Sequence, residues 1–188
     1  MDGQVQDGEA ASLATFSSPE ECAKAVVEKV GKDIRLALPL GLGKANKLTN
    51  ALYAIVKEDP SLHLTIYTAL SIIRPKLGGG LPARFGGPLL EKFFGDYPDL
   101  HYATDRTKGT LPSNVKVEEF FLSTGTLLGN AYAQRHYNSV NYTHAMRRII
   151  AEGVNVLGQM ISRRDGRYSL SCNSDLSLDL IPLMRDKV

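Results

Sequence analysis

The sequence predicts an α/β fold: an open, mainly parallel sheet with flanking helices and a β-hairpin near the C-terminus. Three observations carry this. Between residues 33 and 68 an apolar run, an amphipathic stretch and a β-branched run follow one another with short joins, which is a βαβ unit. Such a unit implies a parallel strand pair with a right-handed crossover. The first run, Asp33-Ile-Arg-Leu-Ala-Leu-Pro39, is apolar at most positions, as a strand covered on both faces must be. Near the end, Asp165-Gly166 separates two alternating segments, a strong hairpin signal.

Each element follows from local chemistry. Residues 1–16 are polar and small with no period, and are expected to form a flexible N-terminal arm ahead of one domain spanning 17–188. Ser18 as N-cap, Pro19 at the first helical position and Glu21 at the third form a capping box for the first helix, which Gly31 stops. The strand 33–39 leads through Gly41-Leu-Gly-Lys44 into a helix from Asn46 to Lys57, with Leu48, Leu52, Ile55 and Val56 on one face. Leu62–Thr68 alternates as a second strand. After the Gly78-Gly-Gly80 loop, Leu81–Phe94 reads as helical with a kink at Gly86-Gly-Pro88, and Asp99–Lys108 as helical too. Val115–Phe121 is the third strand and Ser123–Asn138 a polar connection. Asn141 or a neighbour caps a helix that Gly153 ends. Val154–Ile161 and Tyr168–Cys172 are expected to be the arms of the hairpin, and Asp175 opens a final helix.

Composition excludes several classes. With 43% hydrophobic and 22% charged residues in 188, the chain suits a packed domain rather than a disordered one. Its 22 basic and 20 acidic residues leave a formal charge of +2, too balanced for a nucleic-acid or anionic-membrane partner. Cys22 and Cys172, in unrelated contexts, suggest neither a disulfide framework nor a zinc site. No apolar run approaches the ~18 residues of a membrane span, and the acidic, polar N-terminus is unlike a secretory leader. A soluble protein of the reducing cytoplasm is expected.

Gly41-Leu42-Gly43-Lys44 joins a strand to a helix, where backbone amides and the helix dipole favour an anion, and its glycines allow close approach. A dinucleotide fingerprint wants a third glycine where Asn46 stands, and a Walker loop wants Ser or Thr where Ala45 stands. An ordinary tight turn is the alternative. Tyr137–His144 is rich in short polar groups, read either as capping or as the polar wall of a site. His63, His101, His136 and His144 lack metal-ligand spacing, and no G-x-S-x-G elbow is present. Glu20-Glu21 belongs to a cap and Glu118-Glu119 is expected at an exposed strand end, so neither pair is assigned acid–base work. Arg163-Arg164 reads as a solvated hairpin tip.

Several segments together resemble the N-terminal half of the acetyl-CoA hydrolase/CoA-transferase family. They are Leu36–Asn46 with Asn50–Tyr53, Leu64–Leu70, Phe93–Leu100, Val117–Phe121, Asn141–His144, Gly153–Leu157 and Tyr168–Asn173. The resemblance runs in order over roughly residues 18 to 180. It implies a CoA-transferase-like N-terminal domain, one of two similar halves, with coenzyme A in its acyl-CoA form as substrate and water or a carboxylate as acceptor. The family's nucleophilic glutamate belongs to the C-terminal half, so this chain is expected to contain no catalytic nucleophile, to be inactive alone and to self-associate through the surface meant for that half. Gly41, Leu42, Gly43 and Lys44, with Asn138, Asn141 and Tyr142, are the substrate-binding candidates, chosen by position rather than by a matched family motif. A non-catalytic binding or assembly domain of the same fold is the competing reading.

Overall fold

The computed structural model describes residues 14–170 and 173–185. Elements run α1 (Pro19–Val30), β1 (Asp33–Ala37), α2 (Asn46–Glu58), β2 (His63–Thr68), α3 (Leu81–Phe94), α4 (His101–Lys108) and β3 (Val115–Glu119). There follow α5 (Ala131–Arg135), α6 (Tyr142–Ala151), β4 (Val156–Leu157), β5 (Ser162–Arg164), β6 (Arg167–Ser169) and α7 (Ser177–Arg185). The expected arm lies outside the described residues up to position 13, as do Cys172 and the last three residues of the expected final helix.

Four strands form a parallel sheet in the order β3-β2-β1-β4. Its register pairs Ile34 with Leu64, Leu64 with Val115, and Leu36 with Val156. Because side chains alternate across a strand, each strand serves two cores. Ile34, Leu36, Leu64 and Ile66 pack with Leu52 and Val56 of α2 on one face. Ala37 and Tyr67 pack with Ile149 of α6 and Leu180 of α7 on the other. Covering both faces is what makes the continuous apolar run in β1 favourable.

Three expectations change in detail. The hairpin is present, with Asp165 and Gly166 at positive φ between β5 and β6, but its arms are three residues each. Val154–Ile161 does not form an arm: Val156 and Leu157 pair in parallel with β1, because an unpaired β1 edge would leave buried backbone groups without partners. At α1 the Ser18 hydroxyl accepts from Glu21 N at 3.1 Å, yet the Glu21 carboxylate reaches back to Ser17, whose N–H and Oγ lie at 3.1 and 2.6 Å. The box therefore closes one residue early. Third, Glu119 is 2% exposed and lies in the interior, not at an exposed strand end.

The segment before α4 is tied to α2 by asparagines. Asn46 Nδ2 donates to Pro98 O at 2.8 Å, Asn50 Nδ2 to Asp99 O at 2.8 Å, and Asn50 Oδ1 accepts from His101 N at 2.9 Å. Helix α3 buries none of its residues. Among the described residues no helix is long and apolar enough to cross a membrane.

Candidate functional site

In a parallel sheet the carboxyl ends of the strands are where ligands bind, above all where neighbouring connections leave in opposite directions. Here the loop 41–44 follows the carboxyl end of β1, the strand that lies between β2 and β4. Gly41 at φ 62° and Gly43 at φ 90° take backbone conformations that side-chain-bearing residues rarely adopt, so the tight path depends on both glycines.

Lys44 is 2% exposed and turns inward. Its ammonium donates to the carbonyls of Pro39, of Gly41 at 3.2 Å and of Ala69 at 2.8 Å, capping the ends of β1 and β2. Burial pushes its pKa down to about 8, against the opposing pull of Glu119 and Asp175. It is therefore a buried cross-brace, and its charge reaches any ligand only through the loop. The chain after β6 clamps the outside of the same loop. Asn173 Nδ2 donates to Leu40 O at 2.7 Å and Leu42 O at 2.6 Å, and Asp175 Oδ2 accepts from Leu40 N at 2.7 Å. Leu42, 59% exposed, forms the tip, and neither its N–H nor that of Gly43 donates to another described residue.

Of the second group of candidates, Tyr142 joins this assembly and the asparagines do not. The Tyr142 hydroxyl donates to Asp175 Oδ1, the carboxylate that also holds Leu40. Burial first, then Asp175, pushes the Tyr142 phenol up to about 12. Asn141 is the N-cap of α6, its side chain accepting from His144 N at 3.1 Å. Asn138 pairs through its backbone N–H with Glu119 O at 2.8 Å and lines a void of about 10 Å³ beside Tyr67 and Phe120, room for a single water.

A larger cleft of about 670 Å³ opens over the ends of β2 and β3, within the range of small-molecule sites. Its floor is a polar network. Glu119 Oε1 accepts from Ser71 N at 2.9 Å and from Ser71 Oγ, Ser71 Oγ lies 2.7 Å from the Tyr102 hydroxyl, and Glu119 Oε2 accepts from Arg106 Nη1. Burial raises the fully buried Tyr102 phenol far above its ordinary value, so it stays protonated. Leu70 sits between cleft and loop at φ 49°, a costly conformation for a branched side chain, and such strain collects at functional sites.

The sequence singles out none of Ser71, Tyr102 and Arg106, and Glu119 enters it only as one of a carboxylate pair set aside at a strand end. The signals were faint but present: Val115, Val117 and Glu119 share one strand face, and Tyr102, Ala103 and Arg106 share one helix face. In comparisons with protein-family models, curated proteins and solved structures, nothing matches this chain.

Proposed function

We propose that this chain is the N-terminal half of an acyl-CoA hydrolase or CoA-transferase, acetyl-CoA being the simplest substrate, and that it contributes to the thioester cleft. One observation carries the reading: a loop at the carboxyl end of a central parallel strand, braced from inside by Lys44 and from outside by Asn173, with the Leu42 and Gly43 N–H groups uncommitted.

In this reading the thioester oxygen lies against those two amides. A glutamate from the C-terminal half attacks the carbonyl carbon, a carbon–oxygen bond forms, and negative charge gathers on the thioester oxygen. Preorganised donors at that oxygen are each worth about 3–4 kcal/mol of barrier. Collapse breaks the carbon–sulfur bond and releases CoA thiolate, leaving an acyl-glutamyl anhydride that water or a carboxylate resolves. The half in hand supplies fixed dipoles, and the nucleophile comes from elsewhere.

The test is acetyl-CoA titration followed by backbone amide NMR, with turnover measured in parallel. Saturable shifts at Leu42 and Gly43 without turnover are expected. Silence at both amides at millimolar acetyl-CoA, or acylation of a side chain of this chain seen by mass spectrometry, overturns the reading.

A further inference from the structure

We propose that the cleft over β2 and β3 is a second binding site, for a phosphomonoester carried on an apolar group. It stands apart from the thioester reading, since it uses none of residues 41–44.

Charge is the first ground. Arg74, Lys76, Arg106 and Lys108 line the cleft against only two carboxylates, Asp99 and Glu119. Both carboxylates are already engaged: Glu119 with Arg106 and Ser71, and Asp99 Oδ1 with Arg74 N at 2.7 Å. Arg74 is paired at the rim with Glu91 at 2.7 Å. Among the described residues neither Lys76 nor Lys108 makes an ion pair within 4 Å, although Lys108 lies within electrostatic reach of Asp105, which is itself paired with Lys57. Two ammonium groups without a direct ion pair at one opening suit a group carrying about two negative charges, as a phosphomonoester does near neutral pH, better than a single carboxylate.

The second ground is the buried guanidinium of Arg106, 5% exposed. Glu119 engages Nη1, while Nε has no hydrogen-bond partner among the described residues. The guanidinium charge is thus only partly satisfied from within the protein, and an anion held in the cleft beside it is favoured electrostatically. The third is the apolar lining from Ile73, Phe94 and Leu127, which a bare inorganic ion does not use. A ligand with an ionic head and an apolar or aromatic body uses both kinds of surface.

Phenyl phosphate, benzoate and inorganic phosphate serve as probes, titrated against the full chain and followed by amide shifts at Ser71, Ile72, Ile73, Arg74, Lys76, Thr126 and Leu127. Phenyl phosphate is expected to saturate these shifts about tenfold more tightly than either other probe. A Lys76→Gln/Lys108→Gln double variant is expected to weaken it about tenfold. Both lysines are exposed, so the variant keeps the buried network. Absence of saturation, equal affinity for benzoate or inorganic phosphate, or an unchanged affinity in the double variant overturns the proposal. None of these outcomes bears on Leu42 and Gly43, so this site and the thioester site fail separately.

Discussion

Arg106 and Glu119 form an ion pair with side chains 5% and 2% exposed, linking the last turn of α4 to the end of β3 beneath the open cleft. Removing one member of a buried pair strands the other charge in a poor solvent, which costs far more than the pair itself contributes. Glu119→Ala is therefore expected to lose about 3–5 kcal/mol of stability in urea denaturation. The apolar double replacement Arg106→Met/Glu119→Leu is expected to recover part of that loss, the remainder reflecting the Ser71 N–H left without its acceptor. A single-variant loss below about 1 kcal/mol contradicts the buried pair.

Lys44 gives stability a distinctive alkaline profile. Its folded pKa of about 8 lies below the ordinary 10.5, so between these values the unfolded chain holds the proton more tightly than the folded one. Stability then rises with pH from 8 towards 10, by at most about 1.4 kcal/mol per pH unit. Tyr67 and Tyr142 act in the opposite sense. Burial, with Glu152 and Asp175 respectively, holds each phenol up to about 12, and the stability this contributes is lost as pH climbs from 10 through that value. Urea midpoints are expected to climb above pH 8 and to fall again beyond about pH 10. Lys44→Met is expected to flatten the climb, and a wild-type profile without one contradicts the inward ammonium.

Asn173 holds two carbonyls of the glycine loop with one amide group. Asn173→Ala leaves both without this partner, at an expected cost of about 1–3 kcal/mol. The local signature is sharper: hydrogen exchange of the bonded Leu40 and Gly41 amides is expected to accelerate while that of β2 stays slow. Equal protection in variant and wild type shows that the clamp is dispensable.

Gly43→Ala combines strain and crowding. A methyl group there meets a backbone at φ +90° and lies 3.1 Å from Gln159 Nε2. The expected cost is about 1–2 kcal/mol, together with loss of the acetyl-CoA-dependent amide shifts at the loop. Retention of those shifts at wild-type acetyl-CoA concentrations sinks the role given to the loop.

Along α3, Leu81, Phe85, Leu89 and Phe93 are 75, 79, 50 and 71% exposed and repeat every four residues, an apolar stripe of the kind that marks a contact surface. Self-association is therefore expected by light scattering, reversed in Phe85→Glu/Phe93→Glu. A wild-type chain that stays monomeric across a wide concentration range removes the expectation.

The sequence by itself determined the βαβ unit, its parallel sheet, a helix cap at or beside Asn141 and the Asp165-Gly166 turn, because each rests on interactions between residues close along the chain or on a periodicity visible in one segment. It also placed the Gly41–Lys44 loop at a strand end. Only the tertiary structure decided that Lys44 turns inward, since its carbonyl partner Ala69 is 25 residues away. The same holds for the clamp by Asn173, which reaches Leu40 across 133 residues, and for the pairing of Glu119 with Arg106 across 13. A charged side chain looks solvated in sequence, and it becomes buried only when folding brings a distant partner whose hydrogen bonds offset the lost water.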